Sequence, residues 1–437
     1  MKPYPKYRDS GVEWIGDVPE GWDVKKLKYC FSFHTGWTPP TTNSDYFIGD
    51  NTWITIADMK AKYLDDSVQK LSDEALNELR IKITKEGSLL YSFKLSVGKI
   101  AFAGKDLYTN EAILSISPME KHDLQYYYYA LPECLIINAN ENIYGAKILN
   151  QDLIKNSFLI VPPKPVQKSI AAYLDRKTTQ IDNLISKKQK LIELLKEERS
   201  AIINRAVTKG LNPDAPMKDS GIEWIGEVPE KWEVKRLKWL IKEKLKYGAN
   251  EATELTDESL PRYIRITDFD DDGTLRIETF KSLPYEIAKD YLLRDGDILF
   301  ARSGATVGKT FLYQNYKGIA CYAGYLIKAS VNSELILSNF LYYYTKSSTY
   351  ENWKDSVFIQ ATIQNIGADK YQMLNVPRPP MNEQVGIVKH IDKETTKIDQ
   401  TTSKIENQID LLKEFRTALI PEVVTGKIDV RDEGLNG

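Results

Sequence analysis

The chain has 437 residues, with 59 Lys and Arg against 61 Asp and Glu, for a formal net charge of −2. No global excess of positive charge advertises a polyanion partner, and none is excluded, because grip on phosphate depends on local neutralisation. A hydrophobic fraction of 42% and a charged fraction of 27% are ordinary for a globular protein and allow about two or three domains. No apolar run approaches the roughly 18 to 20 residues that span a bilayer. MKPYPKYRDSG has no signal-peptide apolar region, and the three scattered cysteines, Cys30, Cys134 and Cys321, argue against a disulfide framework. A cytoplasmic protein is expected.

In chain order, the first strong feature is DSGVEWIGDVPEGWDVKKLKY at 9–29, written again as DSGIEWIGEVPEKWEVKRLKW at 219–239. A period of this length is that of a duplicated domain, not of a solenoid. A mixed region follows each copy. ILSIS (113–117), SFLIV (157–161), DILFA (297–301) and YLIKA (325–329) read as strands. The tyrosine runs YYYYA (126–130) and LYYYT (341–345) read as buried helical core at helix-compatible spacing, in preference to a base-stacking platform. Proline breaks at VPPKP (161–165) and VPRPP (376–380) end each mixed region and open a helix.

Two long amphipathic helices come next. LDRKTTQID (174–182) recurs as IDKETTKID (391–399), and LLKE recurs at 194–197 and 411–414. The seam expected for the first is Ile181, Leu184, Leu191, Leu195 and Ile202, interrupted by Lys188 and Glu198. For the second it is Ile398, Ile405, Leu412, Phe415 and Leu419, interrupted by Thr401 and Gln408. Pairing in the manner of a coiled coil is expected. Residues 164–210 carry 11 basic against 5 acidic residues, a local +6; 381–427 carry 7 against 8, a local −1. TKGLNPDAP (208–216) is a turn-rich linker between the halves. The predicted fold is α+β: two mixed α/β domains (1–163 and 211–378) alternate with two long helical segments (164–210 and 379–437), pseudo-twofold duplicated and paired as an antiparallel coiled coil.

Catalytic motifs are weak. GATVGKT (304–310) falls one residue short of a phosphate-binding loop, with Ser303 where the first glycine belongs. Asp219, Glu233 and Lys235 permit a Mg²⁺-dependent nuclease reading, matched by Asp9, Asp23 and Lys25 in the first half. They sit, however, in a tryptophan-anchored block that reads as a folded frame. His34, His122 and His390 have no metal-ligand spacing.

The duplicated opening block, the proline-rich starts of two long helices and the endings VTKGLNP and VTGKIDV resemble the specificity subunit of type I restriction–modification systems, over essentially the whole chain. The resemblance implies two target recognition domains, each reading one half of a split double-stranded DNA sequence. It implies helices that act as a spacer and dock two methyltransferase subunits, with restriction subunits joining that core. It implies no cofactor in this chain, with S-adenosylmethionine, ATP and Mg²⁺ on the partner subunits, no catalysis by the chain itself, and no membrane. A stand-alone Mg²⁺-dependent nuclease and a non-DNA coiled-coil adaptor are the alternatives.

Base reading requires paired donors and acceptors, with cations for phosphates. GSLLYSFKLSVGK (87–99) and GDILFARSGATVGK (296–309) nominate Lys94, Ser96 and Lys99, with Arg302, Ser303, Thr306 and Lys309 opposite them. NIYGAKILN (142–150) and IQATIQNIG (359–367) add Tyr144 and Lys147, with Gln360, Thr362, Gln364 and Asn365. Lys60, Lys62, Arg262 and Arg265 are further phosphate candidates.

Overall fold

The computed structural model describes residues 2–94, 96–141, 147–270, 273–304, 306–359 and 365–434. The chain divides into two compact units, Met1–Lys188 with Asn407–Gly437, and Gln189–Glu406. Both long helices form, Lys164–Lys209 and Met381–Val424, and each unit takes part of both.

In the first unit the opening block is the frame. Strand Asp23–Lys26 pairs antiparallel with Phe158–Val161, so the chain leaves that pairing directly into Pro162 and the first helix. Trp22 is buried among Ile15, Val18, Leu27, Leu419, Val423 and Val424. The end of the second helix therefore docks on the opening block of the first repeat. The helix stops at Gly426, whose φ of +81° suits only glycine, and whose Cα faces Pro19 and Trp22.

The main sheet has strand order Phe33–Thr35, Ile113–Ile116, Leu89–Ser92, Ile100–Ala103, Tyr63–Leu64. Its central strands are buried on both faces, which is why they read as apolar runs. Leu89, Tyr91, Leu114 and Ile116 join the core beneath helix Leu124–Ile136, while Leu90, Ala101 and Ile113 face Ile54, Ile56 and Leu107 on the other side. This is the alternation a pleated strand imposes. Tyr126, Tyr127 and Tyr129 are buried on the helix, as its spacing predicts. Asn51–Ile54 runs parallel to Tyr108–Thr109 beside this sheet.

The second unit repeats the plan. Glu233–Arg236 pairs with Asn375–Arg378. Trp232 is buried with Ile203, Ala206, Val207, Ile387 and Ile391, and the first helix ends at Gly210, φ +73°, against Trp232 and Glu383. The sheet order is Lys246–Tyr247, Leu326–Ala329, Asp297–Ala301, Thr310–Tyr313, with Arg262–Ile264 parallel to Ala320–Tyr322 alongside.

Two polar devices tie each mixed region to its helix at equivalent positions, and a third repeats within each helix. Gln167 accepts from Asp123 N–H and donates to Pro162 O; Gln384 accepts from Leu337 N–H and donates to Pro379 O. Tyr129 donates to Asp175 at 2.5 Å, and Tyr343 donates to Asp392. Thr178 and Thr395 close back on the carbonyls four residues earlier.

The helix seams drift from the predicted ones. Ile181, Ile398, Ile405 and Leu419 are buried as expected, but Leu184, Leu191 and Phe415 are exposed, and Ile409 is buried in place of Phe415. In the first unit Lys188 Nζ donates to Gln408 Oε1 at 2.6 Å, and Arg416 faces Asp182 at 3.6 Å. In the second, Arg199 Nε lies 3.1 Å from Asp399.

Candidate nucleic-acid interface

In both units the hairpin loop nominated by its GK sequence is built by the same local rules. In the first, Ser92 Oγ donates to Ser96 O at 2.5 Å and accepts from Lys99 N–H at 2.9 Å. Gly98, at φ +100°, lets the chain turn back. In the second, Gly308 at φ +84° donates to Ala301 O, and Ala301 N–H donates to Lys309 O. The two lysines then do the same thing. Lys99 Nζ donates to Ile56 O at 3.0 Å, and Lys309 Nζ donates to Phe269 O at 2.8 Å and lies over the Phe269 ring.

Ile56 lies within, and Phe269 immediately after, a second repeated element. Ile54-Thr-Ile-Ala-Asp58 and Ile264-Arg-Ile-Thr-Asp268 are the same element, 210 residues apart. Each aspartate closes its own turn: Asp58 accepts from Thr55 N–H and Oγ1, and Asp268 from Arg265 N–H and its guanidinium. Burial would raise Asp58, but the hydrogen bonds from Thr55 and Val68 outweigh it and hold the carboxyl below its usual range.

The structure brings the two nominated segments of each unit together. Leu149 N–H donates to Phe93 O at 3.3 Å, and at the equivalent place Ile366 N–H donates to Arg302 O at 2.8 Å. Ser303 bridges Asn365. Lys94, Ser96 and Lys147 are exposed on the first unit. Arg302 is half-buried, with its guanidinium over the Tyr247 ring at 5.0 Å and its backbone N–H on Tyr325 O. Its Nε and the Thr306 hydroxyl are buried with no hydrogen-bond partner among the described residues. Tyr144, Gln360, Thr362 and Gln364 lie outside the described residues.

Sequence reasoning missed the aromatics beside these loops, namely Trp37 in the first unit and Tyr247 and Tyr325 in the second, all substantially exposed. The signal that could have found them is the preceding glycine or its neighbour. A Cβ on Gly36 or Gly248 would meet the backbone carbonyl of Thr109 or Tyr322, so both positions need glycine and mark one aligned turn.

Three secondary phosphate candidates are committed inside their unit. Lys62 pairs with Asp175 at 2.6 Å and is ringed by Tyr63, Phe102, Tyr128 and Tyr129. Arg262 is buried and donates to Arg276 O, and Arg265 is held by Asp268 and Thr279 O. Lys60 is exposed. The residues of the nuclease reading are likewise engaged. Asp219 accepts from Gly221 N–H in a turn, and Glu233 lies 3.2 Å from both Lys235 and Arg378. Its hydrogen bond to Lys235, then the two cations' charges, hold its carboxyl below the usual range. Among the described residues no group of three or more His, Cys, Asp or Glu could hold a metal ion, and no helix is long and apolar enough to cross a membrane.

Comparison with known proteins matches this architecture. The type I restriction enzyme MjaIX specificity subunit of Methanocaldococcus jannaschii is 25% identical over 457 aligned positions, covering 96% of each chain. The EcoBI specificity subunit of Escherichia coli is 23% identical over 73% of this chain and 69% of its own. Among solved structures, a chain from a study of complex assembly and conformational transition in the type I R-M system superposes with TM-score 0.71. It is 16% identical and covers 94% of this chain and 99% of that one. The HsdS subunit from Thermoanaerobacter tengcongensis gives 0.56 at 15% identity, covering 94% and 98%. These neighbours share a mixed α/β fold with this chain. The model of the type I restriction modification DNA specificity domain matches twice, at residues 19–194 and 229–411, so the chain belongs to that family and is a specificity subunit of a type I restriction–modification system.

Proposed function

We propose that each unit reads one half of a bipartite double-stranded DNA site, and that the chain contributes recognition without catalysis of its own. The observation that carries this reading is the convergence, in both units, of a GK hairpin loop and a second divergent segment on one shared backbone frame (Phe93 with Leu149, Arg302 with Ile366). A common frame with different side chains is what two different half-sites require. Exposed Lys94 and Lys147 are assigned to phosphates. Ser96, Ser303, Asn365 and Arg302 are assigned to the groove, as are Tyr144, Gln360, Thr362 and Gln364 on the same divergent segments. Lys99, Thr306 and Lys309 hold the loops at the DNA, Lys99 and Lys309 through their carbonyl bonds.

The helices are proposed to pair as an antiparallel coiled coil that spaces the two readers. Within the first unit, 182 meets 416 and 188 meets 408. Within the second, 199 meets 399 while Ile203 and Val207 share a core with Ile387 and Ile391. Numbers that rise on one helix as they fall on the other support opposite directions in each unit. The duplicated frame offers the same surface twice, which suits two identical methyltransferase subunits. Restriction subunits complete the complex, and S-adenosylmethionine, ATP and Mg²⁺ act on those partners in the cytoplasm.

The test is a domain exchange. This chain is co-expressed with its methyltransferase subunit, residues 35–150 are replaced by those of a relative, and modified bases are mapped across the host genome. One half of the modified motif changes and the other stays. A change in both halves overturns the one-unit, one-half-site assignment.

A further inference from the structure

The first unit carries a cleft that none of the nominated residues explains. It encloses about 460 Å³ and is lined by Arg80, Lys82, Lys155, His34, Trp37 and Gln151, among others, none of them a carboxylate. Two separate pieces of chain bring three cations to it. Arg80 caps helix Asp73–Leu79 in the left-handed conformation, φ +49°. Lys82 follows two residues later, and Lys155 comes from helix Gln151–Asn156.

Among the described residues Arg80 and Lys82 are exposed and make no ion pair, and Lys155 meets only exposed Asp152, at 3.8 Å. Trp37 forms one wall with 56% of its surface exposed. Burial first, then the Lys82 ammonium, lowers His34 from its ordinary value, so the ring adds no charge at neutral pH. Exposed cations gathered on a concave surface beside an exposed indole, with no carboxylate in the lining, raise the local concentration of anions. The floor is continuous with the reading loops, because Gln151 Nε2 donates to Thr35 Oγ1 at 3.2 Å two residues after Leu149 meets Phe93.

The second unit has the same backbone there and not the charge. Equivalent hydrogen bonds fix the register: Trp37 N–H to Thr109 O matches Ala249 N–H to Tyr322 O, and Thr84 N–H to Leu107 O matches Leu293 N–H to Ala320 O. Ala249 therefore replaces Trp37, and Tyr291, packed edge-on to Tyr322, replaces Lys82. Lys289, replacing Arg80, is paired with Glu286 at 2.7 Å, and Gln372 stands for Lys155.

We propose that this cleft is a clamp for DNA backbone phosphates flanking the first half-site, so that the first unit supplies most of the electrostatic grip and the second unit little of it. The proposal rests on the reading that the units bind DNA. It is tested on the assembled complex of full chain and methyltransferase subunit, with binding to a duplex carrying the recognised site measured from about 50 to 200 mM KCl. Each lost phosphate contact lowers the steepness with which log K falls against log salt by about 0.9. Arg80→Ala, Lys82→Ala and Lys155→Ala together therefore lower it by about 2 to 3, with the same loss on cognate and unrelated duplex. Each single variant lowers it by about 0.9, which keeps the test readable should the triple variant fold poorly. The charge-retaining set Arg80→Lys, Lys82→Arg, Lys155→Arg keeps the slope, and Lys289→Ala in the second unit leaves it unchanged. An unchanged slope in the alanine variants, with wild type binding normally, overturns the clamp and leaves the DNA reading standing. A loss confined to the cognate duplex makes the cleft a base reader and also overturns it. Wild-type complex with no salt-sensitive DNA binding overturns the DNA reading itself.

Discussion

Gly426→Ala tests whether the end of the second helix completes the frame of the first repeat. A Cβ built at Gly426 would lie 2.6 Å from both Cγ and Cδ of Pro19 and 2.9 Å from the Trp22 ring, at a φ of +81°. The left-handed conformation alone costs an alanine about 1–2 kcal/mol. Relieving a clash with a rigid proline ring and a buried indole adds about 1–3 kcal/mol. The sum is about 2–5 kcal/mol. Gly210→Ala is the internal control. Its φ is similar at +73°, but the nearest atoms are the flexible Glu383 carboxylate at 2.9 Å and the Trp232 ring at 3.2 Å. It should cost little beyond the conformational part, about 1–2 kcal/mol. Hydrogen exchange by mass spectrometry on the two variants reads this directly. Gly426→Ala raises exchange in residues 15–30 and 419–430 together, because Trp22, Leu27, Leu419 and Val423 share one core. Gly210→Ala raises it less, and in residues 203–210 and 225–240. If Gly426→Ala loosens only the C-terminal segment, or loosens it no more than Gly210→Ala loosens its own, the docking described for the first repeat is wrong.

Burial pushes the Cys30 thiol up to about 11, and Cys134 and Cys321 up to about 12. The thiolate fraction at pH 8 is then on the order of one in a thousand or less. Native protein should therefore resist iodoacetamide for hours, with all three cysteines labelled in urea; fast native labelling of any one would contradict its burial. Burial and nearby lysines lower both His34 and His122 from the ordinary histidine range. The unfolded chain then takes up these protons first, so stability is full above that range and falls as pH drops from about 7 to 5. Urea titrations of wild type and of a variant with both histidines changed to asparagine check this. Parallel curves from pH 7 to 5 would mean the histidines carry none of the dependence.

The frame was legible in the sequence because it is repeated, and repeated residues bury the same partners twice. Trp22 and Trp232, the strands leading into Pro162 and Pro379, and the buried tyrosines all follow from pattern and proline chemistry. The helix seam was legible only approximately. Leu184 and Phe415 fit a 3-4 spacing by composition, yet they are exposed, and Ile409 turns inward beside the expected Ile181 and Ile405, since a helix of 3.6 residues per turn drifts against a 3.5-residue repeat. The cleft was not legible at all. Arg80, Lys82 and Lys155 lie 75 residues apart at the extremes, and only the pairing of Thr84 with Leu107 and of Leu149 with Phe93 brings them to one side of a sheet. The shared Ile-x-Ile-x-Asp element was hidden for a related reason. It holds a turn through one aspartate and two isoleucines, which is too few letters to stand out in a chain this rich in both.

The polar interruptions of the helices have a consequence for the proposed spacer. Lys188 and Gln408, two of the predicted interruptions, meet at 2.6 Å in the first unit, and beside the seam of the second Arg199 meets Asp399. A purely apolar seam tolerates a slip of one heptad with little loss, whereas a polar pair loses its hydrogen bond when the register moves, a modest penalty of about 0.2–1 kcal/mol for groups that water can reach. Seven residues of helix measure about 10 Å at 1.5 Å per residue, which is about three steps of duplex at 3.4 Å. An apolar pair in place of Lys188 and Gln408 would bury more surface and hold the helices at least as tightly, yet it would no longer penalise that slip. For a chain proposed to measure a fixed gap between two half-sites, register is worth more than tightness, and under that proposal the polar pairs bias it.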